Sequence, residues 1–246
     1  MPNADIVFCL DASGTMAPTF DGVRQNILKI VQGLESDRQR SWDIRWGLLA
    51  FREDRNGVHR YEGAHLSGSQ LNQAIYHGKH SDEVFTRDTK VITNALANIQ
   101  PEGEEMQLVA LDTALDFPWR ESATCHRVII MLTDEPIETG LYVDQQIAHL
   151  EELKHKIENK KVRLFLYAPK CKSFGKLAGA QMTIYNILKN EAQGCTEIDF
   201  GQILEGIGNS IRASQNMNNG ETSPCPLYNQ SAWTATDDFD PGSDIN

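Results

Sequence analysis

The sequence predicts an α/β fold built on a mostly parallel sheet with helices on both faces. Three observations carry this reading. Apolar runs of strand length alternate with segments of helical period along most of the chain. The run Ile6-Val7-Phe8-Cys9-Leu10 is continuously apolar, as expected of a strand covered on both faces. A second such run, Val128 to Leu132, has the character of a central strand.

The elements follow in order. After the first strand, Phe20, Val23, Ile27, Ile30, Val31 and Leu34 fall on one helical face, with Arg24, Gln25, Lys29 and Gln32 elsewhere. Ile44 to Phe51 reads as a strand, and Val91, Ile92, Ala95, Leu96 and Ile99 form a helix stripe that Asp88-Thr89 would cap. The stretch from Asn56 to His80, rich in Gly, His and Ser, reads as a surface excursion with one short helix. A further helix continues to Leu115. Val143, Ile147, Leu150, Leu153 and Ile157 form another helix face, and Val162 to Tyr167 another strand. Leu177 to Leu188 is expected as a helix, Thr196 to Phe200 as a short edge strand and Ile203 to Ile211 as the last helix. The expected domain is therefore 1–214. Residues 215–246, polar, acidic and without Lys or Arg, are expected to be a flexible tail, either inert or carrying a docking peptide at Leu227, Tyr228, Trp233 and Phe239.

Composition narrows the partner. The formal net charge of -11 disfavours phosphate backbones and anionic lipid surfaces, so neither nucleic acid nor membrane is expected. The start, Met1-Pro2-Asn3-Ala4-Asp5, has no basic region, and the apolar run after it is too short for a signal peptide or a span. A cytoplasmic location is the expectation. Five cysteines (Cys9, Cys125, Cys171, Cys195, Cys225) without CxxC spacing read as mostly buried thiols rather than as disulfides or a zinc site. Scattered histidines, His149 and His155 among them, read as solvated surface, and Trp42, Trp46 and Trp119 as packing residues.

The segment that carries chemistry is Asp11-Ala12-Ser13-Gly14-Thr15-Met16, placed between the first buried strand and the first helix. Ligands of open α/β sheets sit at the carboxyl ends of strands. One carboxylate and two hydroxyls at alternate positions can converge there if Gly14 lets the backbone curl. Such hard oxygen donors suit Mg²⁺, Mn²⁺ or Ca²⁺. A second strand end, Thr133-Asp134-Glu135-Pro136, supplies Asp134 beside it. Two carboxylates at adjacent strand ends repel unless a cation lies between them.

A buried strand ending in Asp-x-Ser-x-Thr, an amphipathic helix and a later strand ending in Leu-Thr-Asp resemble the metal-ion-dependent adhesion site of von Willebrand factor A domains. The resemblance implies a Rossmann-like open sheet, mostly parallel with a short antiparallel strand. It implies that Ser13 and Thr15 ligate the metal directly, that Asp11 holds it often through water, and that Asp134 binds through water. It also implies that an acidic side chain of a partner protein completes the shell. In the middle loop, Pro101 to Thr113, Glu105 after the glycine turn is the candidate for the family's further ligand, with Glu104 second and Thr113 too far into the helix. By analogy with bacterial intracellular domains of this type, the partner could be an ATPase, a kinase or a phosphatase of a stress or defence system.

The rival reading is an Mg²⁺-dependent phosphatase resembling the haloacid dehalogenases, with Asp11 as nucleophile. Ser13 stands where that family needs a carboxylate acid, and no catalytic lysine motif is evident, so catalysis is not expected. A third reading is a scaffold that binds without metal.

Overall fold

The computed structural model describes residues 3–36, 43–54, 56–139 and 141–188. The chain starts in β1 (Asn3–Asp11), crosses through α1 (Phe20–Ser36) and returns in β2 (Asp43–Glu53). β3 (His59–Glu62), α2 (Gly68–His77), β4 (Phe85–Thr86) and α3 (Thr89–Asn98) follow, and then α4 (Gln107–Leu115) and β5 (Cys125–Leu132). The described part closes with α5 (Val143–Ala148), α6 (Leu150–Lys160), β6 (Val162–Pro169), α7 (Lys172–Leu177) and β7 (Thr183–Leu188). The seven strands form one sheet in the order β3-β2-β1-β5-β6-β7, with β4 also on β2. β1, β2, β5, β6 and β7 run parallel, while β3 and β4 run antiparallel to β2.

Strand alternation sorts the core into two layers. Val7 and Cys9 of β1 pack with Leu49, Phe51, Ile129 and Met131 against Leu71, Leu111 and Ile157 of α2, α4 and α6. The intervening Ile6, Phe8 and Leu10 are equally buried and face the other side, where Phe8 stacks on Trp46 at 6.0 Å and α3 contacts both α1 and β2. Trp46 and Trp119 are packing residues as expected, and Trp42 lies outside the described residues. Asp88 caps α3, accepting a hydrogen bond from the Lys90 N–H. Cys9 and Cys125 are buried free thiols and Cys171 is half-buried, while Cys195 and Cys225 lie outside the described residues. Among the described residues, no helix is long and apolar enough to cross a membrane.

Three expectations change. The stretch Leu177 to Leu188 is not a helix: α7 stops at Leu177, Met182 takes a left-handed φ of 71°, and Thr183–Leu188 forms the strand β7 beside β6. Thr183, Ile184, Tyr185 and Ile187 favour a pleated strand, and that preference wins over the apolar spacing. The helix face from Val143 to Ile157 is split at His149 into α5 and α6. The excursion after Asn56 contains β3 as well as the one helix, and the two-residue β4 was too short to carry a period. The strand at Thr196 to Phe200, the helix at Ile203 to Ile211 and the tail at 215–246 lie outside the described residues.

The amino end of the central strands is tied by charge. Fully buried Asp5 accepts hydrogen bonds from Arg45 Nε (2.9 Å) and Nη2 (2.6 Å), and from the backbone N–H (2.9 Å) and Nε (2.8 Å) of Arg120. Burial alone would raise the Asp5 carboxyl, but these donors and the Arg45 charge hold it below the usual carboxylate range. An acid held low in the folded state stabilises the fold above its unfolded pKa, and this contribution is lost as pH falls through the folded value. Asp5→Ala leaves two guanidinium groups half-buried without their shared acceptor. It is expected to lower stability by about 3 kcal/mol in urea denaturation at neutral pH, with the deficit shrinking as the medium is acidified below about pH 4.

Candidate metal centre

The site lies at the carboxyl tips of β1 and β5, which are hydrogen-bonded neighbours with Leu10 paired to Leu132. Asp11 ends β1 opposite Phe51 of β2, and the chain then turns out of the sheet after the Ala12 N–H bonds the Phe51 carbonyl at 2.9 Å. Asp11 is fully buried. Its Oδ1 accepts the Ser13 N–H at 2.9 Å, and its Oδ2 accepts the Thr133 hydroxyl at 2.6 Å. The Thr15 hydroxyl donates to Asp134 Oδ1 at 3.1 Å and lies 3.0 Å from Ser13 Oγ. Asp11, Ser13, Thr15 and Asp134 thus meet in one network, buried except at Thr15, where it reaches solvent.

The middle loop is brought to the same place by backbone bonds. The Glu102 N–H donates to the Ala12 carbonyl at 2.9 Å, and the Gly14 N–H donates to the Gly103 carbonyl at 3.0 Å. The Glu53 and Glu104 backbones exchange two hydrogen bonds of 3.0 Å. Gly103 has a φ of 78°, and a Cβ there would stand 1.9 Å from the Glu53 carbonyl oxygen. The glycine that the site needs is therefore Gly103. Gly14 does not take the positive φ that would demand one, so the first loop curls without the freedom expected of it.

This loop buries Glu105 at 2% exposure, while Glu104 is exposed. Thr113 sits inside α4 with its hydroxyl on the Val109 carbonyl, away from the network. Glu105 stands close enough to both Asp11 and Glu135 to raise the carboxyl of each. Thr133 and Glu135 are the site residues that motif reading did not single out. Their signal was only their position on either side of Asp134.

The electrostatics are those of crowded acids. Burial pushes the Asp11 carboxyl up to about 7; hydrogen bonds from Thr133 and Ser13 oppose this, and Glu105 reinforces it. Burial, then the charge and hydrogen bond of Glu105, then Asp134 and Glu104, push Glu135 up to about 7 as well. Among the described residues no Lys, Arg or His forms an ion pair with Asp11, Glu105 or Glu135. Nor do three or more His, Cys, Asp or Glu side chains there group as a metal cluster. The donor set at Asp11 instead mixes carboxylates with hydroxyls, all hard oxygens of the kind Mg²⁺, Mn²⁺ and Ca²⁺ accept.

An acid whose folded pKa is raised binds its proton more tightly in the native state, so stability falls as pH rises from the unfolded to the folded value. Without divalent cations, unfolding free energy is expected to fall between about pH 4 and about pH 7, and Asp11→Asn to remove much of that slope. Urea titrations at several pH values in chelator measure this, and identical slopes for the two proteins would refute it.

No family model matches the chain, and no curated protein does. Solved structures similar to it include the pilus adhesin SpaC from Lactobacillus rhamnosus GG in an open conformation, with a TM-score of 0.54 at 13% identity over 86% of this chain and 30% of that one. Another is a von Willebrand factor type A protein from Catenulispora acidiphila, with a TM-score of 0.51 at 14% identity over 82% of this chain and 42% of that one. The chain spans less than half the length of either structure. At such identities the likeness is one of fold, and the fold of this chain is a von Willebrand factor A-like α/β fold.

Proposed function

We propose that this chain is a divalent-cation-dependent protein-binding module. Asp11, Ser13, Thr15 and Asp134, with Glu105 from the middle loop, hold Mg²⁺ or, in its place, Mn²⁺ or Ca²⁺. When bound, the ion supplies a Lewis-acidic position that captures an Asp or Glu side chain of a partner protein. The observation that supports this most strongly is the crowding of acids: the carboxyls of buried Asp11 and half-buried Glu135 are both driven up to about 7, buried Glu105 reinforces both shifts, and among the described residues no basic side chain forms an ion pair with any of the three. A dication would relieve all of these repulsions at once. Solvent access at Thr15 leaves a side from which a partner can approach.

The same residues argue for binding rather than turnover. Both Asp11 oxygens already accept hydrogen bonds from Ser13 and Thr133, which suits a fixed ligand better than an attacking nucleophile. We place the module in the cytoplasm, within a multi-protein bacterial stress or defence system where an ATPase, kinase or phosphatase is the partner; this rests on analogy with similar domains.

Asp11→Ala and Ser13→Ala are each expected to lower Mg²⁺ or Mn²⁺ affinity by about ten-fold or more in calorimetry, with the circular dichroism spectrum unchanged. Metal affinity untouched in both variants would remove the site. Partner capture from native lysate is expected to fail in chelator. Capture that survives chelator and both variants would favour a metal-independent scaffold.

A further inference from the structure

A second polar site lies on the other side of β2. A cavity of about 500 Å³ is lined by Arg52 and Glu62, by Ser67 and Gly68 at the start of α2, and by Glu102 from the middle loop. Arg52 is 8% exposed. Its Nη2 donates to Glu62 Oε1 at 2.7 Å, but among the described residues its buried Nη1 has no hydrogen-bond partner. Its Nε makes only a 3.4 Å ion-pair contact with Glu102, too poorly directed to be a hydrogen bond. A buried guanidinium with unmet donors costs free energy until an oxyanion arrives.

The end of α2 adds a second, independent attraction. α2 is 10 residues long, has no acidic residue in its first turn, and Ser67 at its N-cap makes no side-chain capping bond. The Gln70 N–H bonds the Ser67 carbonyl at 3.2 Å, so the Ser67 side chain leaves the Ser69 N–H and the positive end of the helix dipole uncapped. A Cβ built on Gly68 would meet nothing within 4 Å, so open space lies at that helix end.

We propose that this cavity is a carboxylate-binding subsite, in which Arg52 and the N-terminus of α2 take one monoanionic carboxylate. The acids around it set the charge. Asp54 is committed to Arg60 at 2.6 Å and Glu62 to Arg52, while the Glu102 side chain is 66% exposed and is the group an incoming carboxylate displaces. Two fixed acids in the lining, Glu62 on Arg52 and Asp54 on Arg60, disfavour the second charge of a phosphate dianion. Glu102 thus fills in for the ligand.

The test follows the Ser67 and Gly68 amides and the Arg52 Nε–H by NMR in the full chain. Sodium acetate is titrated against sodium chloride of equal ionic strength, with inorganic phosphate in parallel. Chelator is present throughout, so the outcome is independent of the metal reading. Saturable acetate shifts are expected that Arg52→Lys weakens by about ten-fold and Glu102→Gln strengthens by about three-fold. Acetate shifts no larger than those from chloride, tighter binding of phosphate, or weaker binding in Glu102→Gln would each overturn the proposal. Should Arg52→Lys not fold by circular dichroism, the wild-type and Glu102→Gln titrations still decide.

Discussion

Asp11 is an acid placed where water cannot solvate it, at the tip of the central strand of a sheet covered on both faces. A buried carboxylate must find donors, a proton or a cation. The chain supplies two donors, the Ser13 N–H and the Thr133 hydroxyl, and then brings Glu105, Asp134 and Glu135 close by. Much of the local architecture follows from holding these groups together against their repulsion.

The holding is done by backbone and not by side-chain charge. β1 and β5 fix two strand tips side by side through their ladder, and the first loop is tied to the middle loop by the Glu102–Ala12 and Gly14–Gly103 bonds. The middle loop is in turn pinned to the end of β2 by Glu53 and Glu104, at a spacing only a glycine at position 103 tolerates. At the opposite end of β1, Asp5 meets two arginines in the conventional way. One strand thus carries a satisfied acid at its start and a frustrated one at its end, and frustrated acids of that kind cluster at functional sites.

The sheet, its parallel centre and the two loops at its carboxyl edge were legible because buried parallel strands leave long apolar runs and the helices between them leave amphipathic stripes. β4 was not, since two residues carry no period, and β7 was not, since apolar residues over so short a span fit a strand and a helix alike. Asp11, Ser13, Thr15 and Asp134 could be picked out because they follow strands directly. Glu105 was chosen over Glu104 from the glycine turn, and the structure buries the first and exposes the second. Thr133 and Glu135 left no mark of their own: an isolated threonine or glutamate in a loop looks the same in sequence whether or not a buried acid faces it. Arg52 was hidden for the same reason, because an arginine near a strand end is ordinarily solvated.

The central claim is that a dication belongs among these oxygens, and anomalous diffraction from crystals grown with manganese tests it most directly. The account predicts an anomalous peak bounded by Asp11, Ser13, Thr15 and Asp134, with the Thr15–Asp134 hydrogen bond opened to admit it. A map without density there, with the hydroxyls still bonded to the carboxylates, would contradict it.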